Sequence, residues 1–106
     1  MVKRNVPKEI IKIVSDYGKL IKKNGIPAER VILFGSYARD LYRPSSDIDV
    51  CVVSDECKDE HAMQVKLNKL TYDLDTRIQP HPVSLADYLE NTNPFIAEIR
   101  KTGITI

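Results

Sequence analysis

Residues 31–53 read VILFGSYARDLYRPSSDIDVCVV, and this stretch decides the fold. The run 31–34 is short, continuous and apolar, which is typical of a buried strand. Gly35 and Ser36 follow it at once and predict a turn. Residues 47–53 read DIDVCVV, and their alternation predicts a second strand whose successive side chains point to opposite faces of a sheet. The stretch therefore predicts two strands separated by a glycine-serine turn.

The segments on either side of this stretch predict helices and further strands. Apolar spacing and capping residues indicate, in chain order, a helix between Pro7 and Asn24, a short helix over 37–42, a helix over 59–72, a strand over 74–78, a short helix capped by Ser84, a helix opened by Asn93 and Pro94, and an edge strand over 104–106. Pro80 and Pro82 are expected to limit pairing beyond the third strand. This order predicts an α/β (α+β) fold with helices covering one small mixed sheet.

Length and composition restrict the protein class. A chain of 106 residues is enough for a single domain over residues 1–106, and its charged fraction of 29% is ordinary for a soluble globular protein. No apolar run reaches the length of a membrane span, and the basic N-terminus lacks the apolar stretch of a signal peptide. Cys51 and Cys57 suggest no disulfide framework. These features indicate a cytoplasmic protein without a membrane partner.

Asp47 and Asp49 are the first candidate functional residues. At positions i and i+2 of a strand their carboxylates leave the same face, where they repel each other unless a cation lies between them. Magnesium suits such a pair, because it takes oxygen ligands and bridges to substrate phosphates. The alternative is a pair of exposed aspartates at the start of a strand.

Gly35 and Ser36 supply a complementary feature. A turn between a buried strand and a helix start presents free backbone N–H groups, which bind phosphate. Glycine permits close approach of the backbone, and the Ser36 hydroxyl can donate to a phosphate oxygen. Taken alone, the pair could be a plain turn. Next to the carboxylates of Asp47 and Asp49, it predicts the arrangement required for phosphoryl or nucleotidyl transfer with two metal ions.

The residues GSYARD at 35–40 and SDIDV at 46–50 resemble the signature of the DNA polymerase beta-like nucleotidyltransferase superfamily. Within it, the chain is most similar to the minimal nucleotidyltransferases, which are often the antitoxin half of two-gene toxin–antitoxin pairs. Asp40 departs from the pattern, since many relatives carry glycine there, and is expected to alter only the local turn. The resemblance covers the glycine, the serine and both aspartates.

The resemblance implies a metal site and its ligands. Asp47 and Asp49 would hold two Mg²⁺ ions, and a third carboxylate on a later strand would join them and orient or deprotonate the acceptor hydroxyl. Asp75 is the candidate for that third position, with Asp73 as the competitor. Gln79 lacks a carboxylate and is set aside.

The resemblance also implies how the nucleotide binds. Gly35 and Ser36 would hold the β- and γ-phosphates of a nucleoside triphosphate. Arg39 could reach a phosphate, or it could equally pair with Asp40 or another acid.

The predicted function is transfer of a nucleoside monophosphate from a nucleoside triphosphate to an acceptor hydroxyl. AMP and ATP are the expected pair. The resemblance suggests a helical toxin protein encoded nearby as the acceptor, or else a second copy of this chain; nucleic acid is not indicated. The alternative is a non-catalytic antitoxin that keeps the fold, binds nucleotide and acts by gripping its partner.

Overall fold

Four strands form one mixed sheet in the computed structural model, which describes residues 6–90 and 92–106. The strands are β1 (Arg30–Phe34), β2 (Ile48–Ser54), β3 (Ile78–Ser84) and β4 (Ile104–Thr105), and they lie in the order β3-β2-β1-β4. β1 pairs antiparallel with both β2 and β4, whereas β2 pairs parallel with β3. The predicted mixed sheet is confirmed.

The helices are α1 (Lys8–Lys23), α2 (Glu60–Thr71), α3 (Leu85–Leu89) and α4 (Pro94–Thr102). Short polar side chains start three of them. The side chains of Asp59, Ser84 and Asn93 each accept a hydrogen bond from a backbone N–H in the first turn of α2, α3 and α4, respectively. These N–H groups have no acceptor within their own helix. Within the described residues, no helix is long and apolar enough to cross a membrane.

The alternation of β2 divides the core between the two faces of the sheet. Ile48, Val50 and Val52 pack with α1 and α2 in one apolar cluster. Cys51 and Val53 pack with α3 and α4 in the other. The period-two prediction is confirmed, so the odd-numbered side chains of β2, Asp49 among them, lie on the face that carries α3 and α4.

The third strand lies further along the chain than predicted. β3 begins at Ile78 and runs through both Pro80 and Pro82, so the predicted strand over 74–78 is wrong. The Ile48 N–H donates to the Arg77 carbonyl, and this parallel register directs the N–H groups of odd-numbered β3 residues toward β2. The prolines therefore lack N–H groups only on the outer side of an edge strand, where proline is tolerated.

Tyr17 ties α1 to α2 inside the first core cluster. Its side chain is fully buried, and its hydroxyl donates a 2.8 Å hydrogen bond to the Leu67 carbonyl of α2. Burial raises the pKa of this hydroxyl, which keeps its proton available for the bond. The interaction fixes the two helices that support β1 and β2 from one side.

Replacing Tyr17 with phenylalanine should destabilise the fold, because the ring stays buried while the Leu67 carbonyl loses its side-chain donor. We expect the free energy of unfolding to fall by about 1 kcal/mol, measured by urea denaturation. Tyr72→Phe is the matched control, since Tyr72 is 78% exposed and should show no change. Equal effects of the two substitutions would contradict the assigned role of the Tyr17 hydroxyl.

Candidate functional site

The end of β1 and the beginning of β2 bring the candidate residues together. Phe34, the last residue of β1, is the register partner of Asp49 in β2. Gly35 and Ser36 therefore follow β1 beside the start of β2, where Asp47 immediately precedes the strand. The Asp47 residue is exposed and Asp49 is partly buried. The sequence predicts two carboxylates on one face next to a glycine-serine turn. The structure places the Asp49 carboxylate beside this turn, whereas the face of Asp47, which precedes β2, stays a prediction.

Gly35 is required at its position for two separate reasons. Its φ of 75° lies in the left-handed region, where side chains other than glycine are strained. A Cβ atom built on Gly35 would also collide with the carboxylate of Asp49. The backbone of the turn thus packs directly against one of the two candidate metal ligands, so phosphate held by the turn would lie next to that carboxylate.

The turn after Gly35 is shorter than the predicted helix over 37–42. Residues 35–40 form successive turns, closed by hydrogen bonds from Arg39 N–H to the Gly35 carbonyl and from Leu41 N–H to the Ser36 carbonyl. Asp40 has a φ of 59°, the conformation of a glycine that ends a helix, so a single turn is all that forms. The departure from glycine at Asp40 is accommodated because aspartate tolerates this conformation better than most residues.

Three consecutive backbone amides of this turn lack an acceptor within the described part of the chain. They are the N–H groups of Ser36, Tyr37 and Ala38. Consecutive unpaired N–H groups form a concave site for anions. The buried ring of Tyr37 stacks on the ring of Tyr42, with centroids 4.7 Å apart, and this packing holds the turn in place.

Arg39 is exposed at the rim of the same turn. It forms no ion pair with any residue in the described part of the chain. The structure therefore leaves its guanidinium available, and its role at a phosphate stays a prediction.

The structure does not bring Asp75 together with the aspartate pair. Asp75 precedes β3 and its carboxylate accepts hydrogen bonds from the backbone N–H, Nε and Nη2 of Arg77, the last at 2.8 Å. The Arg77 guanidinium lowers the pKa of this carboxyl. Tyr37 and Glu9 also raise the pKa of Arg77 through their charge. Tyr37 belongs to the core cluster that packs with α1, so one of the groups that influence Arg77 belongs to that face of the sheet. A ligand role for Asp75 stays a prediction from resemblance, as does the alternative Asp73.

Two residues of β3 lie beside Asp49 instead: Gln79, which the sequence analysis set aside for lack of a carboxylate, and His81, which it did not place at the site. Gln79 is the parallel register partner of Asp49, and His81 is two residues further on. The His81 Nε2 atom is 3.5 Å from Asp49 Oδ1, and its ring packs edge-on to Phe34 with centroids 5.0 Å apart. The signal that could have found them was the strand start at Ile78, which the two prolines obscured.

A cleft opens beyond His81 at the β3 edge of the sheet. It has a volume of about 360 Å³, and its walls come from α2, β3 and α4, with the lining residues Glu60, His61, Gln64, His81, Pro82 and Phe95. Phe95 is 44% exposed and also contacts the Phe34 ring. The cleft adjoins Asp49 through His81, which lines it.

The carboxylates of Asp47 and Asp49 fit a hard divalent cation, because carboxylate oxygens are the ligands that magnesium takes. Among the described residues, no three His, Cys, Asp or Glu side chains cluster as a metal site. The pair alone would leave most coordination positions to water and phosphate oxygens, as is usual for magnesium at triphosphate sites.

Comparison with known proteins identifies the class of this site. A family model described as "Nucleotidyltransferase domain" matches residues 7–103, so the chain belongs to that family. The protein named "Putative protein adenylyltransferase MJ0141" of Methanocaldococcus jannaschii is 33% identical over 103 residues, which cover 92% of this chain and 99% of that protein. The matched residues include the turn and the aspartate pair.

Solved structures agree with this assignment. A chain of a toxin–antitoxin complex crystallised with AMP-PNP has a TM-score of 0.64 and 25% identity, covering 86% of this chain and 69% of that one. A chain from the complex of tri-AMPylated Shewanella oneidensis HEPN toxin with MNT antitoxin has a TM-score of 0.57 and 24% identity, covering 91% and 70%, and shares the fold. The resemblance to minimal nucleotidyltransferases is confirmed.

Gly35→Ala should damage the site more than the fold. The matched control is Gly25→Ala, because Gly25 has a similar φ of 77° but no atom near a built Cβ. Both variants should lose about 1–2 kcal/mol of stability from the left-handed conformation. Only Gly35→Ala should also displace the Asp49 carboxylate and weaken triphosphate binding, measured by calorimetry. Equal triphosphate affinity in the two variants would contradict the close packing of Gly35 on Asp49.

Asp75→Asn should lower stability at neutral pH by less than about 1 kcal/mol, because Arg77 is more than a third exposed and solvent screens the ion pair. Folding lowers the pKa of Asp75, so this stability is present above the ordinary aspartate pKa of about 3.9 and is lost as the pH falls through the lowered value. Melting curves of wild type and variant should therefore converge in acid. A difference that persists below both values would show that Asp75 acts through something other than its charge.

Proposed function

We propose that this nucleotidyltransferase transfers AMP from ATP to a hydroxyl group of a protein. The observation that carries the proposal is the packing of the Gly35 backbone on the Asp49 carboxylate, which joins a phosphate-binding turn to a cation-binding pair. The name of the Methanocaldococcus jannaschii relative, which covers nearly the same length, supports adenylyl transfer and a protein acceptor. The AMP-PNP complex of a structural neighbour supports an adenine nucleotide.

The turn binds the phosphates in this proposal. The free N–H groups of Ser36, Tyr37 and Ala38 hold the β- and γ-phosphates, and the Ser36 hydroxyl adds a further donor. Arg39 reaches a phosphate from the rim, where its charge offsets part of the charge of the triphosphate. The α-phosphate then lies over the aspartate pair.

Asp47 and Asp49 would hold magnesium, two ions in the triphosphate complex. Bound magnesium neutralises phosphate charge and polarises the α-phosphate. The two carboxylates fix the position of the α-phosphorus relative to the acceptor. Asp75 would complete the set only if the segment before β3 rearranged and released Arg77, and the resemblance alone supports that role.

The reaction is an in-line displacement at the α-phosphorus. The acceptor oxygen forms a bond to phosphorus while the bond from phosphorus to the oxygen bridging the β-phosphate breaks. Pyrophosphate leaves with the electron pair, and the hydroxyl proton passes to a carboxylate of the site or to water.

The acceptor is a partner protein that enters by the cleft beside His81. Within the described part of the chain, α1 and α2 cover the opposite face of the sheet, and Asp49 lies on the face that carries α3 and α4. Positioning of both substrates supplies much of the catalytic gain, so the partner has to bring its own docking surface. A helical toxin fits this role by analogy with the toxin–antitoxin complexes among the structural neighbours; a second copy of the chain is the alternative.

A second function, nucleotide-dependent binding of the partner without transfer, has one observation in its favour. Among the described residues, no group of three His, Cys, Asp or Glu side chains could hold a metal ion. A pure binding module needs nucleotide affinity and a docking surface but no complete set of catalytic acids. The following experiment separates the two functions.

Asp49→Asn should abolish transfer and leave the fold intact, because it removes a cation ligand while keeping the shape of the side chain. Co-expression with the protein encoded beside it, followed by intact-mass spectrometry of the partner, should show an added adenylyl group with the wild-type chain. The group should be absent with Asp49→Asn and with Asp47→Asn.

Asp73→Asn is the matched control, since Asp73 is an exposed carboxylate in a turn and should transfer normally. Full modification by Asp49→Asn would rule out the cation-ligand role of that residue. A partner that is bound and neutralised by the wild-type chain without any added mass would establish the binding function instead.

A further inference from the structure

The strand register places a neutral amide directly beside Asp49, on the neighbouring strand β3. Asp49 and Gln79 are paired residues of parallel strands, so their side chains leave the same face about 4.8 Å apart. Gln79 is exposed, and no hydrogen bond of its side-chain amide is found within the described residues. It is therefore free to turn toward the carboxylates.

The chemistry of glutamine suits this position. An amide carbonyl oxygen is a ligand for hard divalent cations, although it lacks the charge of a carboxylate. On the other side of Asp49, the paired residue Phe34 packs its ring against His81 and offers no oxygen. Gln79 is thus the side chain on β3 that can supply a third oxygen without any change of backbone.

We propose that Gln79 is the third ligand of the cation site and that its neutral amide sets the cation affinity. With two charges instead of three, the free site binds a divalent cation weakly, and the triphosphate supplies the remaining negative charge. A cation would then be retained mainly together with its nucleotide. This inference rests on the proposed function only in taking Asp47 and Asp49 as cation ligands.

The test measures manganese(II) binding in the absence of nucleotide and acceptor, by electron paramagnetic resonance of the free ion. Manganese accepts the same oxygen ligands as magnesium. Gln79→Glu adds a charge at the same length of side chain and should tighten binding by about tenfold, since affinity of such sites follows the charge of their ligands. Gln79→Leu removes the oxygen at similar volume and should weaken binding.

Two controls locate the effect. Asn68→Glu adds the same charge at an exposed position of α2 and should leave manganese affinity unchanged. In an Asp49→Asn background, Gln79→Glu should lose most of its gain, because both residues would hold the same ion.

The inference is overturned if Gln79→Glu binds manganese no better than wild type or no better than Asn68→Glu. It is also overturned if the gain survives in full without the Asp49 carboxylate. The manganese measurement contains no nucleotide, so it stays valid even if the wild-type chain does not transfer AMP. Transfer combined with unchanged manganese affinity in all Gln79 variants would reject the ligand role and keep the proposed function.

Discussion

The contact between the Gly35 backbone and the Asp49 carboxylate is the constraint on which the rest of the site depends. It is possible only because glycine combines a φ of 75° with the absence of a Cβ atom. The antiparallel pairing of β1 with β2 delivers the two residues to the same end of the sheet. A phosphate on the turn and a cation on the carboxylate would consequently be neighbours, which is the geometry that transfer of a charged group requires.

The fold keeps this end of the sheet open while burying the rest. The apolar side chains of β2 alternate between a cluster closed by α1 and α2 and one closed by α3 and α4. Cys51, two residues after Asp49, is already fully buried, and burial raises the pKa of its thiol to about 12, so it acts as an apolar core residue. The fully buried Cys51 and the candidate ligand Asp49 are therefore only two residues apart on one strand.

Local sequence patterns were sufficient for the turn and the aspartate pair, whereas the third strand depended on pairing that they do not reveal. Asp49 could be placed because period-two alternation assigns each β2 side chain to a face. The start of β3 could not, because it follows from the hydrogen bond between Ile48 and Arg77, two residues far apart in sequence. Two prolines argued against a strand, and only its position at the sheet edge makes them acceptable. Because the predicted strand begins too early, it makes Asp75 the candidate third ligand, although the Asp75 carboxylate forms an ion pair with Arg77.

The central claim is that the turn and the aspartate pair together transfer the adenylyl part of ATP rather than its terminal phosphate. The most direct measurement incubates the chain, its partner protein and magnesium with ATP carrying a radioactive phosphate at either the α or the γ position. The account predicts that label from the α position becomes covalently attached to the partner and that label from the γ position is released in pyrophosphate. Attachment of the γ label, or of neither label to a partner that is nevertheless bound, would contradict it.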